Sequence, residues 1–195
     1  DALKHPSWSM GKKISIDSAT MMNKVFEIIE AKKIFDIKYN QIEIIVHPRS
    51  YVHAMIKFSN GLIKILVHET NMKIPIFNSL FSDFEKKIET KKINFNFLNN
   101  LDFKKVNKKK FPVIKIIDNL LNKETLFETV LVSANDRLVK HFLEKKIKFN
   151  DISKYLLKII KRKEFQKYKF KVPLNIDEIR FLNKYVSLKI DNLCV

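Results

Sequence analysis

Four polar residues in one short stretch carry the densest chemistry of the sequence: Ser18, Asn23, Lys24 and Glu27. Asn23 precedes Glu27 by four residues and Lys24 precedes it by three, spacings that gather all three on one region of a helix surface. Met21, Val25, Ile28 and Ile29 recur at helical spacing, which predicts a helix over 17–36 with Asp17 or Ser18 as N-cap. Ser18 would then stand at the helix N-terminus, where unpaired N–H groups and the helix dipole favour an anion. Ser, Asn and Lys at such an end make a phosphate cradle, and the Glu27 carboxylate one turn on can hold a divalent metal beside it. His5, Trp8 and Met10 precede the helix in a stretch that could fold over a bound ligand. A plainer reading of the same residues stands beside this one. Asp17 and Ser18 serve only as a cap, Lys24 and Glu27 form a solvated pair contributing about 0.2–0.5 kcal/mol, and Trp8 covers a core edge.

The elements that must position these residues are legible in outline. Three strand-like runs follow the helix: Ile42–Val46, Tyr51–Phe58 with Val52, Ala54, Ile56 and Phe58 on one face, and Leu62–Val67. Asn60-Gly61 between the last two signals a two-residue hairpin turn with positive φ at both positions. These runs are expected to form an antiparallel sheet packed against the 17–36 helix, with a short helix at 74–81. Residues 82–110 are rich in Lys, Asn and Asp and lack a sustained period, so they read as a linker. Beyond Pro112 the pattern is helical, at Val113–Leu121, Thr125–Leu131, Asn135–Lys145, Ile152–Arg162 and Ile176–Ile190. The expected fold class is α+β: an α+β domain over 1–81, a linker over 82–110 and a small helical bundle over 111–195.

Composition bounds the function. The 195 residues, 46% hydrophobic with sixteen Phe, can bury a core and are not a disordered chain. No stretch approaches the apolar length of a membrane span, so no membrane role is expected. The net charge of +17 raises nucleic acid as a partner. The excess is almost all Lys, however, with arginine only at Arg49, Arg137, Arg162 and Arg180, and nucleic-acid readers lean on the planar fork of Arg. Lys, Ile and Asn together are what AT-rich codons supply, and the lysines form no dense block. Compositional drift accounts for the charge, and no nucleic-acid partner is expected. The single cysteine, Cys194, forms no internal disulfide and suggests a reducing compartment. The sequence opens at Asp1 without an initiator Met or a signal peptide, which is read as part of a longer protein, in the bacterial cytoplasm rather than a plastid. A zinc site from His47, His53 and His68 is disfavoured because Pro48 interrupts the strand that would align the first two.

The spelling of the stretch from His5 to Lys24, HPSWSMGKKISIDSATMMNK, resembles the signature of the 1-deoxy-D-xylulose 5-phosphate reductoisomerase family. The likeness continues through His47-Pro48-Arg49-Ser50-Tyr51-Val52-His53, Met72-Lys73-Ile74-Pro75-Ile76, Phe111-Pro112, Ser133-Ala134-Asn135-Asp136 and Ile147-Lys148-Phe149-Asn150-Asp151-Ile152. Only the last thirty or so residues match weakly. Arg49, His68, Leu80-Phe81-Ser82 and Asp136 depart from the common family spelling, and none falls within 5–27.

The resemblance implies the C-terminal half of an NADPH-dependent enzyme of isoprenoid biosynthesis by the methylerythritol phosphate route. That enzyme rearranges 1-deoxy-D-xylulose 5-phosphate and reduces the resulting aldehyde to 2-C-methyl-D-erythritol 4-phosphate, with Mg²⁺ or Mn²⁺. It implies that Ser18, Asn23 and Lys24 hold the substrate phosphate and nearby hydroxyls, and that His5 is a further substrate contact. It implies that Glu27 is a metal ligand that also touches substrate. Trp8 and Met10 belong to a closing flap, Gly11 and Met10 meet the NADPH, and His53 supports the site from the sheet. A homodimer built largely through the sheet is implied, as is an N-terminal NADPH-binding Rossmann domain absent from this chain. With two glycines the sequence holds no Gly-rich dinucleotide fingerprint, and the chain alone is expected to be inactive. The rival classes are a degenerate non-catalytic fragment and a basic nucleic-acid-binding module.

Overall fold

A computed structural model describes residues 11–81, 86–99 and 101–194. The chain divides into two compact units, Asp1–Glu43 with Asn107–Val195, and Ile44–Val106. This division differs from the boundaries expected at 81 and 110. The helices carrying the candidate residues share a unit with the C-terminal helices, and the strands belong to the other.

The first unit opens with α1 (Lys12–Thr20) and α2 (Met22–Phe35). The single helix expected over 17–36 is two helices, because Met21 takes a left-handed backbone at φ 62° and ends the first. Val25, Ile28 and Ile29 of α2 are buried, as their spacing requires. They pack on a 3₁₀ segment, Pro112–Asn119, in which Pro112 occupies the first turn and Val113, Ile114 and Ile116 face inward. The centre of the unit is α5 (Phe127–Leu143), which packs on α1, on α6 (Phe149–Ile160) and on α8 (Ile176–Cys194). Phe165 of the one-turn α7 (Lys163–Gln166) is fully buried and meets Tyr185 of α8 edge-on at 6.2 Å. Tyr39 ties the end of α2 to α5: its hydroxyl donates to Glu128 at 3.3 Å, and burial followed by the Glu128 charge pushes the phenol pKa up.

The two helices expected at Thr125–Leu131 and Asn135–Lys145 are one. Ser133, Ala134 and Asn135, at the expected gap, are buried within the helix, and the Asn135 amide is bonded across the unit. A further polar cluster joins α5 to α8. The Arg137 fork holds Asp191 through Nε at 2.5 Å and a second nitrogen at 2.7 Å, and buried His141 Nε2 lies 2.7 Å from the same carboxylate. The Arg137 fork, then His141, hold the Asp191 carboxyl below its ordinary range against the opposing effect of burial. A carboxylate lowered in the folded state contributes stability that is full above the unfolded pKa near ~4. That contribution is lost as pH falls through the lower folded value. Asp191→Asn is therefore expected to cost about 1–3 kcal/mol at pH 7, and the gap from the parent should shrink at pH 3, read by urea unfolding. An equal gap at both pH values would show that the carboxylate charge carries none of it.

In the second unit, β2 (Val52–Lys57) and β3 (Ile63–Val67) form the expected antiparallel hairpin. Its turn differs from the expected two-residue type. The Phe58 N–H donates to the Leu62 carbonyl and the Gly61 N–H to that of Phe58, enclosing Ser59-Asn60-Gly61 as a three-residue loop. Only Gly61, at φ 89°, is left-handed, the form that a type I turn followed by a bulge glycine takes. A register shift between Val52 and Ala54 interrupts the expected alternation. The first strand run shortens to β1 (Ile45–Val46), which pairs antiparallel with β4 (Lys104–Lys105). Part of the expected linker is thus sheet, and the unit also holds α3 (Lys73–Leu80) and α4 (Phe95–Asn99). Among the described residues no helix is long and apolar enough to cross a membrane.

Candidate functional site

The candidate residues gather around the break between α1 and α2. Ser18 lies in the last turn of α1, not at a helix N-terminus, and its carbonyl accepts the Met21 N–H at 3.1 Å. Gly11 caps α1, so neither Asp17 nor Ser18 is the N-cap. The N-terminus beside these residues belongs to α2, where Met21 supplies no side-chain cap, Asn23 and Lys24 lie in the first turn, and the Lys24 N–H donates to the Met21 carbonyl at 3.2 Å. The Thr20 hydroxyl supports this junction. It donates toward the Ile16 and Asp17 carbonyls at 3.1 Å each and accepts the Met22 N–H at 3.4 Å.

The break has a geometric consequence. At 3.6 residues per turn, Ser18 and Lys24 on one unbroken helix would stand roughly 120° apart around its circumference and could not share a face. The left-handed residue between them, which costs an L-amino acid about 1–2 kcal/mol, removes that constraint. A non-glycine residue held at φ > 0 inside a candidate site is the kind of strain that surrounding contacts must sustain.

Asn23, Lys24 and Glu27 are brought together as expected. The Asn23 amide donates to Glu27 Oε1 at 3.1 Å and Lys24 Nζ donates to Oε2 at 2.7 Å. Lys24 and Glu27 side chains are 42% and 52% exposed, so their pairing contributes little stability and leaves both groups open to a ligand. Glu27 suits a Mg²⁺-type ion as one hard oxygen donor. Among the described residues no group of three His, Cys, Asp or Glu side chains could complete a metal site, so Glu27 fits as a single ligand of a larger set.

Gly11 is exposed with an extended backbone at φ −61°, and among the described residues no atom lies within 4 Å of where its Cβ would stand. Nothing in the described fold requires glycine there. His5, Trp8 and Met10 lie outside the described residues. His53 stacks on His68 with ring centroids 3.6 Å apart and its Nε2 lies 3.1 Å from the His68 carbonyl oxygen. His47 packs against Phe103 with Nδ1 3.2 Å from the Asp102 carbonyl oxygen, so the three histidines form no common cluster.

One set of residues escaped the sequence reading. Asp17, 3% exposed, accepts the Asn135 amide at 2.7 Å and Lys13 Nζ at 2.8 Å, and Lys13 also meets Asp136 at 3.0 Å. Burial lowers the Lys13 pKa, but hydrogen bonds and charge from Asp17 and Asp136 outweigh it and leave the ammonium raised. The Lys13–Asp17 spacing of four was visible in the sequence, whereas Asn135 is 118 residues from Asp17.

Comparison with known proteins places this arrangement. Residues 68–185 match the family model "DXP reductoisomerase C-terminal domain", and residues 1–35 match that of the 1-deoxy-D-xylulose 5-phosphate reductoisomerase C-terminal domain. The Pelagibacter ubique 1-deoxy-D-xylulose 5-phosphate reductoisomerase is 64% identical over 195 residues, covering 100% of this chain and 50% of that protein. That of a Sulfurihydrogenibium species is 40% identical over 85% of this chain and 44% of its own length. The chain spans about half the length of the curated relatives it matches. The Zymomonas mobilis enzyme solved with NADPH superposes with a TM-score of 0.82 at 31% identity, over 99% of this chain and 48% of that one. A DOX-P reductoisomerase solved with NADPH, fosmidomycin and magnesium gives a TM-score of 0.87 at 31% identity, over the same shares.

Proposed function

Because the chain belongs to the 1-deoxy-D-xylulose 5-phosphate reductoisomerase family, we propose that it supplies the sugar-phosphate side of that reaction. The overall conversion is of 1-deoxy-D-xylulose 5-phosphate and NADPH to 2-C-methyl-D-erythritol 4-phosphate. The observation that carries this reading is the Asn23–Glu27–Lys24 cluster on the first two turns of α2, beside the break that frees Ser18 from the helix register.

Each residue has a task its chemistry suits. Lys24 gives a point charge and the Asn23 amide a donor at the N-terminal end of α2, where the helix dipole favours an anion, and together they hold a phosphate remote from the reacting bonds. Binding energy gathered there orients the substrate. Ser18 bonds a phosphate oxygen or a neighbouring hydroxyl. Glu27 turns its carboxylate from Lys24 toward a divalent ion and the substrate hydroxyls. When bound, Mg²⁺ or Mn²⁺ polarises a substrate carbonyl and NADPH delivers hydride. The space free of described atoms beside Gly11 suits close approach of the cofactor. His5 is assigned as a further substrate contact, and Trp8 with Met10 as a lid that keeps water from the aldehyde.

The remaining metal ligands and the NADPH-binding Rossmann domain are assigned to an N-terminal part outside these 195 residues. The working assembly is a homodimer in the bacterial cytoplasm. The test is NADPH oxidation with the sugar phosphate, by this chain alone and by this chain joined to the N-terminal half of the Pelagibacter ubique relative. Turnover is expected only from the joined protein. Turnover by the chain alone would overturn the division of labour, and inactivity of both would overturn the assignment.

A further inference from the structure

The candidate cradle depends on a junction that its own residues do not hold in place. Helix α1 has only nine residues, a length marginal without tertiary support, and it delivers Ser18 to the left-handed turn at Met21. Among the described polar contacts from α5, Lys33–Glu128 ties down α2 and Lys13–Asp136 the start of α1, and next to the turn itself the buried Asp17 carboxylate accepts the fully buried Asn135 amide at 2.7 Å. A carboxylate is costly to bury without donors, and a buried amide that donates to it at 2.7 Å fixes where it sits. Asp17 adjoins Ser18, and its backbone carbonyl accepts the Thr20 hydroxyl that in turn takes the Met22 N–H, at the first residue of α2. One residue therefore links α5 to both sides of the Met21 turn.

We propose that Asp17 is a positioning residue for the sugar-phosphate cradle, anchored by Asn135, and that their hydrogen bond fixes Ser18 relative to the first turn of α2. Neither residue touches substrate in this account. Lys13, half exposed, bridges Asp17 to Asp136 at the rim and is a lesser part of the latch. The inference rests on the functional reading above.

The test uses the joined protein described there. Asp17→Ala and Asn135→Ala are each expected to raise KM for the sugar phosphate about tenfold or more. The kcat and the KM for NADPH should stay within about twofold. Asp17→Asn keeps an acceptor oxygen for Asn135 and should recover most of the loss. If Asp17→Ala does not fold, Asn135→Ala reads the same bond without touching a charge or the cradle. An unchanged sugar-phosphate KM, or a parallel loss in kcat and both KM values, overturns the proposal. Hydrogen exchange on the same proteins separates it from the functional reading. Faster exchange at amides 18–24 with α6 unchanged is expected in Asn135→Ala, and exchange that rises uniformly overturns the latch even where the parent protein proves inactive on the sugar phosphate.

Discussion

Glu27→Gln, made in the joined protein, is expected to lower kcat by about 10²–10⁴-fold at saturating sugar phosphate, since Lewis-acid stabilisation of several kcal/mol depends on the metal being held. The substitution keeps the shape of the side chain and one acceptor oxygen, so what it removes is the anionic donor. Its fold should be almost untouched. Glu27 is 52% exposed and its partners Asn23 and Lys24 lie on its own helix, so unfolding free energy should move by less than about 0.5 kcal/mol. The measurement is turnover against Mg²⁺ and Mn²⁺ concentration, with a urea titration alongside. Metal-dependent turnover near the parent level would remove Glu27 from the ligand set.

Lys24→Ala should act on a different parameter. A charge-assisted hydrogen bond of about 1.5–3 kcal/mol to the phosphate corresponds to a rise of about 10–100-fold in KM for the sugar phosphate. The KM for NADPH should be unchanged. Because the phosphate is remote from the bonds that change, kcat should fall less than kcat/KM, the signature of lost binding energy. Loss of the pairing with Glu27 is a minor complication, since an exposed pair contributes about 0–1 kcal/mol. Lys24→Arg restores charge but presents a planar fork where a compact ammonium stood, so partial recovery is expected. A normal KM in Lys24→Ala would take Lys24 out of the cradle.

The two variants draw on different parts of the same helix turn, and this explains what could be read from the linear chain. Asn23, Lys24 and Glu27 are neighbours through helix periodicity alone, so their meeting was legible from spacing. Ser18 was expected at a helix N-terminus, and it stands instead in the last turn of α1. The αL turn at Met21 carries no glycine or proline to announce it, and the helix that looked continuous is two. The hairpin was legible because Gly61 sits between two β-branched runs. Its loop length was not, because Asn60-Gly61 serves both a two-residue turn and the bulge end of a three-residue one. Among the C-terminal helices the spacing located those at 149–160 and 176–194, while the expected helix at 113–121 is a 3₁₀ segment, the turns at 163–170 were not expected, and 131–135 is no gap. There the two expected helices are one, and the buried Asn135 amide donates to Asp17 of α1.

By itself the sequence determined the α+β class and the local helix face carrying Asn23, Lys24 and Glu27. Its spelling over 5–24 pointed to the family that the later comparisons showed. These are matters of period and local order, and a linear string records them fully. Tertiary structure alone decided that residues 1–43 fold with 107–195 and not with the strands between. It decided, too, that Asp17 faces Asn135 and that a strained Met21 is tolerated between Ser18 and Asn23. The division into units and the Asp17–Asn135 bond rest on contacts between segments tens to more than a hundred residues apart, whose burial and hydrogen bonding a local spacing does not report. The Met21 turn is a single-residue backbone state that no apolar period records.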